Sequence, residues 1–390
     1  MATFTSRTLR RSELTVPRSA SSDENFPRVY EPGGGDPLSS EALGRLLDAN
    51  KAAIRADVVK HGGVLLRGCG VQTPAEFEAV IRRLGYALME DYTPADVRRT
   101  QVAGLTFTAA DAPKWHFIAP HHEQCYSNRR PGIICFYADK APDPGTGGET
   151  PIYDTRHCLS DMPPDDLAAM RQPTKHGRLY ANAKSAPTLK KRFTVWLFDT
   201  MVRWFALPLP NLQHHPPWQN VFHTDDPEKA KAYVATMQGM ELSFTDSGDA
   251  VYNCVTPNVV RHPVTGDERF VFASSAYSAS NSRECWRIVD TLVRGSLLPF
   301  WLRQRAAQLL QWLLLWGSYT YVTPLADGTP NPLGARPYMA YWAHAVLFPW
   351  RRGDVLILDN VSAMHARMPC TDMKRRILTA IADPYTATAP

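Results

Sequence analysis

The sequence predicts a mixed α/β fold dominated by β-strands, and three observations carry that prediction. From Asp111 onward the chain breaks into short apolar runs bounded by Pro and Gly, such as PGIICFYADKAP, DAVYNCVTPNVV and GDVLILDN. Strongly helical spacing is confined to stretches that precede or interrupt this texture. No internal repeat is visible, so many short strands with turns between them point to a closed or sandwiched β architecture.

Taken in order, residues 1–38 are rich in Ser, Pro, Arg and Gly and are expected to form a poorly ordered lead-in. Ser39 or Ser40 can cap a helix that runs through Leu43, Leu46 and Leu47 to Ile54 and Val58. HGGVLLRGCG then supplies a short buried strand, Val64–Leu66, closed by glycines. A second helix has Pro74 near its start and Phe77, Val80, Ile81 and Leu84 on one face. Later strands include ERFVFASS and KRRILTAIAD. Residues 39–390 are expected to form one domain, with apolar helical insertions at 193–210 and 297–317. Arg203, Arg303 and Arg305 interrupt these insertions. The longest uninterrupted run is about ten residues, against the roughly twenty that span a bilayer. Buried helices packed on the sheet are the expectation; a lid, a homo-oligomer interface or a peripheral membrane contact stay open.

Composition narrows the function. Lys+Arg (43) and Asp+Glu (38) are interleaved, leaving a net charge of +5 without a basic block, which argues against nucleic acid. The seven cysteines are scattered without a Cys-x-x-Cys pair, so neither a zinc cage nor a disulfide framework is indicated. That usage, with no apolar secretory core at the N-terminus, fits a cytoplasmic protein.

The chemistry starts at Pro120-His121-His122-Glu123. In an extended segment residues i and i+2 share a side, so His121 and Glu123 project together while His122 turns away. One imidazole and one carboxylate are two corners of the facial triad that suits iron(II). Alone, such a pair is more often a surface feature than a metal site. GDVLILDNVSAMHARMPC offers the third corner, His365, beyond an apolar strand and an Asp359-Asn360 turn. Arg376, eleven residues on, opens the next strand, and its planar fork suits a carboxylate. Arg375 should face the other way. In GTGGETPIYD the glycines permit a tight turn and Thr150 could offer a hydroxyl to the same ligand, although the motif by itself reads as an ordinary hairpin.

These motifs resemble the TauD/TfdA family, the taurine dioxygenase and clavaminate synthase-like iron(II)/2-oxoglutarate-dependent oxygenases. The matching pieces, in order, are HGGVLLRGCG, His121-x-Glu123, GTGGETPIYD, WQNVFHTDD (218–226), RHPVTGDE (261–268) and GDVLILDNVSAMHAR with KRRI after it. They cover roughly residues 60 to 382. The resemblance implies a double-stranded β-helix (jelly-roll, cupin-like) core with flanking helices. It implies His121, Glu123 and His365 as ligands of Fe(II), with 2-oxoglutarate and dioxygen as co-substrates. It further implies that Arg376 and Thr150 hold the distal carboxylate of 2-oxoglutarate. The implied reaction couples oxidative decarboxylation of 2-oxoglutarate to oxidation of a substrate C–H bond, by hydroxylation foremost and with desaturation or ring closure open.

Three departures matter. The acidic ligand is Glu where many relatives have Asp, as in a clavaminate-synthase-like subgroup; its presence argues against halogenation. Ala380 stands where taurine dioxygenase has a second arginine, which puts the substrate's anionic group in doubt. The apolar insertion at 297–317 is foreign to the family core. His116 and His122 read as structural, His214-His215 as solvent-facing, Asp225-Asp226 as a helix cap and Cys125 as a packed thiol. A non-catalytic metabolite-binding β-helix and a zinc hydrolase are the competing readings. The first conflicts with the intact triad, and the second leaves Thr150 and Arg376 without a purpose. Two small-molecule substrate classes of specialised metabolism stay open: amino acids, free or on a carrier protein, and apolar lipid- or terpenoid-like molecules.

Overall fold

A computed structural model describes residues 3–15, 23–34, 38–90, 99–184, 189–205, 207, 217–237, 239–271, 299–315 and 344–389. In chain order the strands are β1 (Phe4–Arg7), β2 (Arg28–Pro32), β3 (Gly63–Leu66), β4 (Gln101–Ala103), β5 (Thr106–Thr108) and β6 (Ile118–His121). Then come β7 (Arg129–Lys140), β8 (Ile152–Asp154), β9 (Thr174–Tyr180), β10 (Met240–Phe244), β11 (Ala250–Thr256), β12 (Val259–Arg261) and β13 (Glu268–Phe270). The last are β14 (Ala345–Val346), β15 (Val355–Asp359), β16 (Ala363–Arg367) and β17 (Arg376–Thr386). The helices are α1 (Ser40–His61), α2 (Pro74–Arg83), α3 (Cys158–Asp161), α4 (Pro164–Met170), α5 (Leu189–Phe205), α6 (Trp218–Val221), α7 (Pro227–Ala235) and α8 (Phe300–Leu315).

The result is a mixed, strand-rich α/β fold. An eight-stranded sheet runs β1-β2-β3-β15-β7-β17-β5-β4, and a four-stranded sheet runs β14-β8-β16-β6. Alternation along three central strands explains their packing. Ile133, Cys135 and Tyr137 of β7, Val355 and Ile357 of β15, and Leu378 and Ala380 of β17 bury against α1 and α2. The intervening Ile134 and Phe136, Leu356 and Leu358, and Ile377 and Ile381 pack towards Ile152, Ala363 and Val346 of the smaller sheet. A strand buried on both faces reads as a continuous apolar run, as these three do.

The expected first helix begins where the Ser39 hydroxyl accepts the Ala42 N–H at 3.2 Å, and it ends at Gly62, φ 77°. Thr73 and Glu76 form a capping box at the start of the second, with Pro74 inside it.

The N-terminal segment departs from the sequence expectation. The described residues before Ser39 include β1 and β2, which pair with each other, and β2 runs parallel to β3. Buried Phe26, Val29 and Tyr30 and the ion pairs of Arg7 with Glu13 and Glu31 tie them down. The polar composition concealed this because β1 is an edge strand with no buried apolar run and β2 contributes only Val29 and Tyr30 to the core.

The two apolar insertions lay one side on the outer face of the smaller sheet, but they are not the buried helices expected, since Trp196, Trp204 and Trp301 are exposed. Phe198 and Val202 of α5 and Ala307 of α8 meet Tyr153, Met364 and Ala366. His214-His215, residues 297–298, and the far ends of both insertions lie outside the described residues.

Candidate metal centre

Strands β6 and β16 are antiparallel neighbours in which His365 sits directly opposite His121. Their rings lie 4.4 Å apart between centroids. Glu123 follows β6 by two residues, at a bend where Gln124 takes φ 53°. Its backbone is pinned by one side chain. Asn360 Oδ1 accepts the Glu123 N–H at 2.8 Å, and Asn360 Nδ2 donates to the Glu123 carbonyl at 3.1 Å and to Pro131 at 2.9 Å. Glu123 Oε2 then lies 3.7 Å from His121 Nε2 and 3.5 Å from His365 Nε2. One ligand atom from each of the three residues falls within 4.8 Å of the other two. The structure thus brings together the three side chains picked from the sequence, and His122 turns away to Thr155 Oγ1 at 3.2 Å.

The electrostatics suit a divalent cation. Burial would raise the pKa of Glu123, but Arg99, His121 and His365 outweigh it and hold the carboxyl well below its ordinary range. Arg99 Nη2 donates to Glu123 Oε1 at 3.0 Å and Oε2 at 3.1 Å. Burial, then the neighbouring His121, pushes His365 down to about 4, which keeps its imidazole neutral. Two imidazole nitrogens and a carboxylate are the donor set of a facial triad. His365 Nδ1 is buried with no hydrogen-bond partner among the described residues, so that ring is held by packing, Phe136 lying 4.9 Å away.

The loop that delivers His365 has its own brace. His262 Nδ1 accepts the N–H groups of Val264 and Thr265, both at 3.1 Å, so its proton resides on Nε2 and is donated to Asp359 Oδ2 at 2.8 Å. Both partners are buried. His262 lies in the RHPVTGDE segment, which the sequence reading noted without assigning it a role.

Of the two adjacent arginines, the structure buries Arg375 and leaves Arg376 half exposed. Arg376 is 45% exposed and donates through Nε to Asp139 Oδ2 at 2.5 Å, on the side of β17 turned away from the triad. Arg375, expected to face outward, is the buried one at 7% exposure, and its Nε donates to the Gly148 carbonyl at 2.7 Å. Burial lowers its pKa to about 10, which leaves it charged at neutral pH. The register shift between Arg376 and Ile377 and the inward packing of Ile377 and Ile381 account for the exchange. Thr150 is buried and its Oγ1 accepts the Trp350 Nε1–H at 3.1 Å. Gly148 is obligatory: at φ 83°, an added Cβ would lie 2.7 Å from Arg375 Cδ and from Cys370 Sγ.

Other residues take the plain roles expected of them. His116 is buried with Nε2 3.2 Å from Asp199 Oδ1, Cys125 packs in a small apolar cluster, and Asp226 caps α7 through the Glu228 N–H at 2.9 Å.

Comparison with known proteins identifies the family. The family model described as taurine catabolism dioxygenase TauD, TfdA family matches residues 30–282 and 327–381, and the chain belongs to that family. It is therefore a non-haem iron(II) dioxygenase that uses 2-oxoglutarate and dioxygen, and the triad fits the iron. A clavaminate synthase-like protein of Arabidopsis thaliana is 24% identical over 362 residues, covering 91% of this chain and 93% of that one. The dapdiamide synthesis protein DdaC of Enterobacter agglomerans is 24% identical over 330 residues, covering 85% and 84%. Among solved structures, PvcB of Pseudomonas aeruginosa aligns over 97% of this chain and 91% of its own, with TM-score 0.44 and 14% identity.

Proposed function

We propose that His121, Glu123 and His365 hold iron(II) between the two sheets of a double-stranded β-helix, in a single domain that takes in β1 and β2 as well as residues 39–390. On this reading the protein oxidises a C–H bond of a small, carboxylate-bearing molecule of specialised metabolism, with hydroxylation as the outcome. The observation that carries it is the convergence of the three ligand atoms within 4.8 Å, on strands brought into register by β6 and β16.

When bound, iron(II) with 2-oxoglutarate and dioxygen supplies the oxidising power, and the chain's own residues supply the order. Arg375 receives the distal carboxylate of 2-oxoglutarate, with Thr150 on the same segment as Gly148. Arg376, which the family resemblance implies for this role, is instead paired with Asp139. Arg99 is the candidate for the substrate's anionic group. It donates to both carboxylate oxygens of Glu123, which places a guanidinium beside the proposed iron site, where a substrate anion can meet it. It would serve in place of the arginine that relatives carry where Ala380 stands here. The DdaC relative, by its name a dapdiamide synthesis protein, is in keeping with a place in specialised metabolism, and an amino acid-derived and a fatty carboxylate both meet the charge requirement.

The test is an anaerobic titration of metal-free protein with iron(II) and 2-oxoglutarate, following the visible charge-transfer band of the chelate. A band that requires both additions and vanishes in Glu123→Ala and His365→Ala supports the reading. Folded wild-type protein without a band would sink it.

A further inference from the structure

We propose that the outward faces of α5 and α8 dock the protein on an anionic lipid bilayer. The surface lies apart from the metal centre and owes nothing to its chemistry.

The first observation is where exposed apolar residues gather. Nine of the thirteen exposed large hydrophobic side chains among the described residues lie on these two helices, five on α5 and four on α8. The helices are only 17 and 16 residues long. Trp196, Trp204 and Trp301 are 60%, 70% and 65% exposed. A soluble chain rarely leaves such a concentration uncovered without a use for it.

The second is periodicity. Leu189, Phe193, Trp196 and Trp204 recur at helical spacing along α5, opposite the Phe198 and Val202 stripe that packs on the smaller sheet. On α8, Leu302, Leu309 and Leu313 form the outer stripe, while Ala307 and Leu310 pack against the core. Each helix therefore has two apolar faces, one satisfied by the protein and one presented outward.

The third is charge, and it selects the occupant. The two helices carry four Lys or Arg on α5 and two on α8, against the single acid Asp199. Asp199 faces inward, accepting the Trp115 indole N–H at 2.9 Å beside His116. Lys190, Arg192, Arg203 and Arg305 are exposed beside the aromatic stripe. Arg203 lies 5.1 Å from the Trp204 ring centroid, a cation resting on an interfacial aromatic. Tryptophan and leucine at the level of the acyl chains, flanked by cations that reach lipid phosphates, are the signature of a helix lying in the interface plane. A second copy of the same face would set cations against cations, which disfavours a two-fold dimer through it. No described helix is long and apolar enough to cross a membrane. Part of the surface also lies outside the family match: α8 falls within residues 283–326, between the two stretches that match the family.

The experiment is co-sedimentation of the full chain with vesicles of phosphatidylcholine alone or containing phosphatidylserine, with sedimentation velocity run on the protein by itself. Wild type should pellet with the serine-containing vesicles, release with added salt, and partition about tenfold less on phosphatidylcholine. The Trp196→Ser/Trp204→Ser variant should lose about tenfold in partition, and Lys190→Glu/Arg192→Glu should lose the preference for anionic lipid. Both should retain the wild-type melting temperature and iron(II) binding, because these side chains are exposed. Wild type that stays in the supernatant with both vesicles would overturn the proposal. So would a dimer that the tryptophan substitutions dissolve, without vesicle binding.

Discussion

Arg375 and Arg376 are sequence neighbours with opposite surroundings, and the difference decides which can recognise a dicarboxylate. Arg375 is held charged in a buried position beside Gly148, whereas Arg376 is half exposed and already balanced by Asp139. Removing Arg375 as Arg375→Gln should weaken 2-oxoglutarate binding by about a hundredfold, the scale of a lost buried charge-assisted contact. Arg376→Gln should leave it within a few-fold, and isothermal titration against the iron-loaded protein separates the two. Equal losses would return the role to Arg376. Sequence could not choose between them because β17 is apolar on both sides: Ile377 and Leu378 are each buried, against different layers. The triad was legible for the opposite reason, since His121 and Glu123 share a side by the i, i+2 rule and His365 follows a recognisable strand and turn. Asn360 was visible only as a turn residue, yet it holds both backbone groups of Glu123. Asn360→Ala should lower iron(II) affinity about tenfold while leaving 2-oxoglutarate affinity of the loaded protein little changed. Unaltered metal affinity would show that Glu123 needs no such brace.

At the scale of elements, the centre depends on the turn between β15 and β16. Asp359 closes that turn by accepting the Val361 N–H at 3.0 Å and the His262 proton at 2.8 Å, both within buried surroundings. His262→Ala would leave a buried carboxylate short of its donor, at a cost of about 1–3 kcal/mol. Thermal melting should register that loss, and His262→Gln, which keeps a donor, should recover part of it. A melting temperature untouched by His262→Ala would refute the brace. The elements themselves were largely readable: α1 and α2 announce their caps, and β7, β15 and β17 announce themselves as apolar runs. What escaped were β1 and β2, whose stability comes from pairing with β3 and from ion pairs far apart in sequence, such as Arg7 with Glu31. Local composition carries no trace of such long-range partners.

The molecule as a whole buries imidazoles, and that sets its response to acid. His116, His176 and His365 are buried in different parts of the structure, and burial is the largest cause of depression in each, to about 4, about 3 and about 4. The unfolded chain binds protons on these rings from about pH 6.5 downwards, while the folded chain does so only near its depressed values. Stability is therefore fully present above about pH 6.5 and is lost as the pH falls towards the folded pKa values. His176 offers the cleanest measurement, because it sits on β9 away from the triad and its remaining perturbation comes from Arg178 and Arg130. Between about pH 6.5 and pH 5, one such ring should cost about 2 kcal/mol of folding free energy. His176→Leu removes the titration and should flatten the dependence by that amount in urea unfolding of metal-free protein. If wild type and variant lose stability in parallel over this interval, the buried ring at β9 is not the source of acid sensitivity. A flatter variant would show that burial of neutral imidazole, independent of the metal, ties this fold to neutral pH.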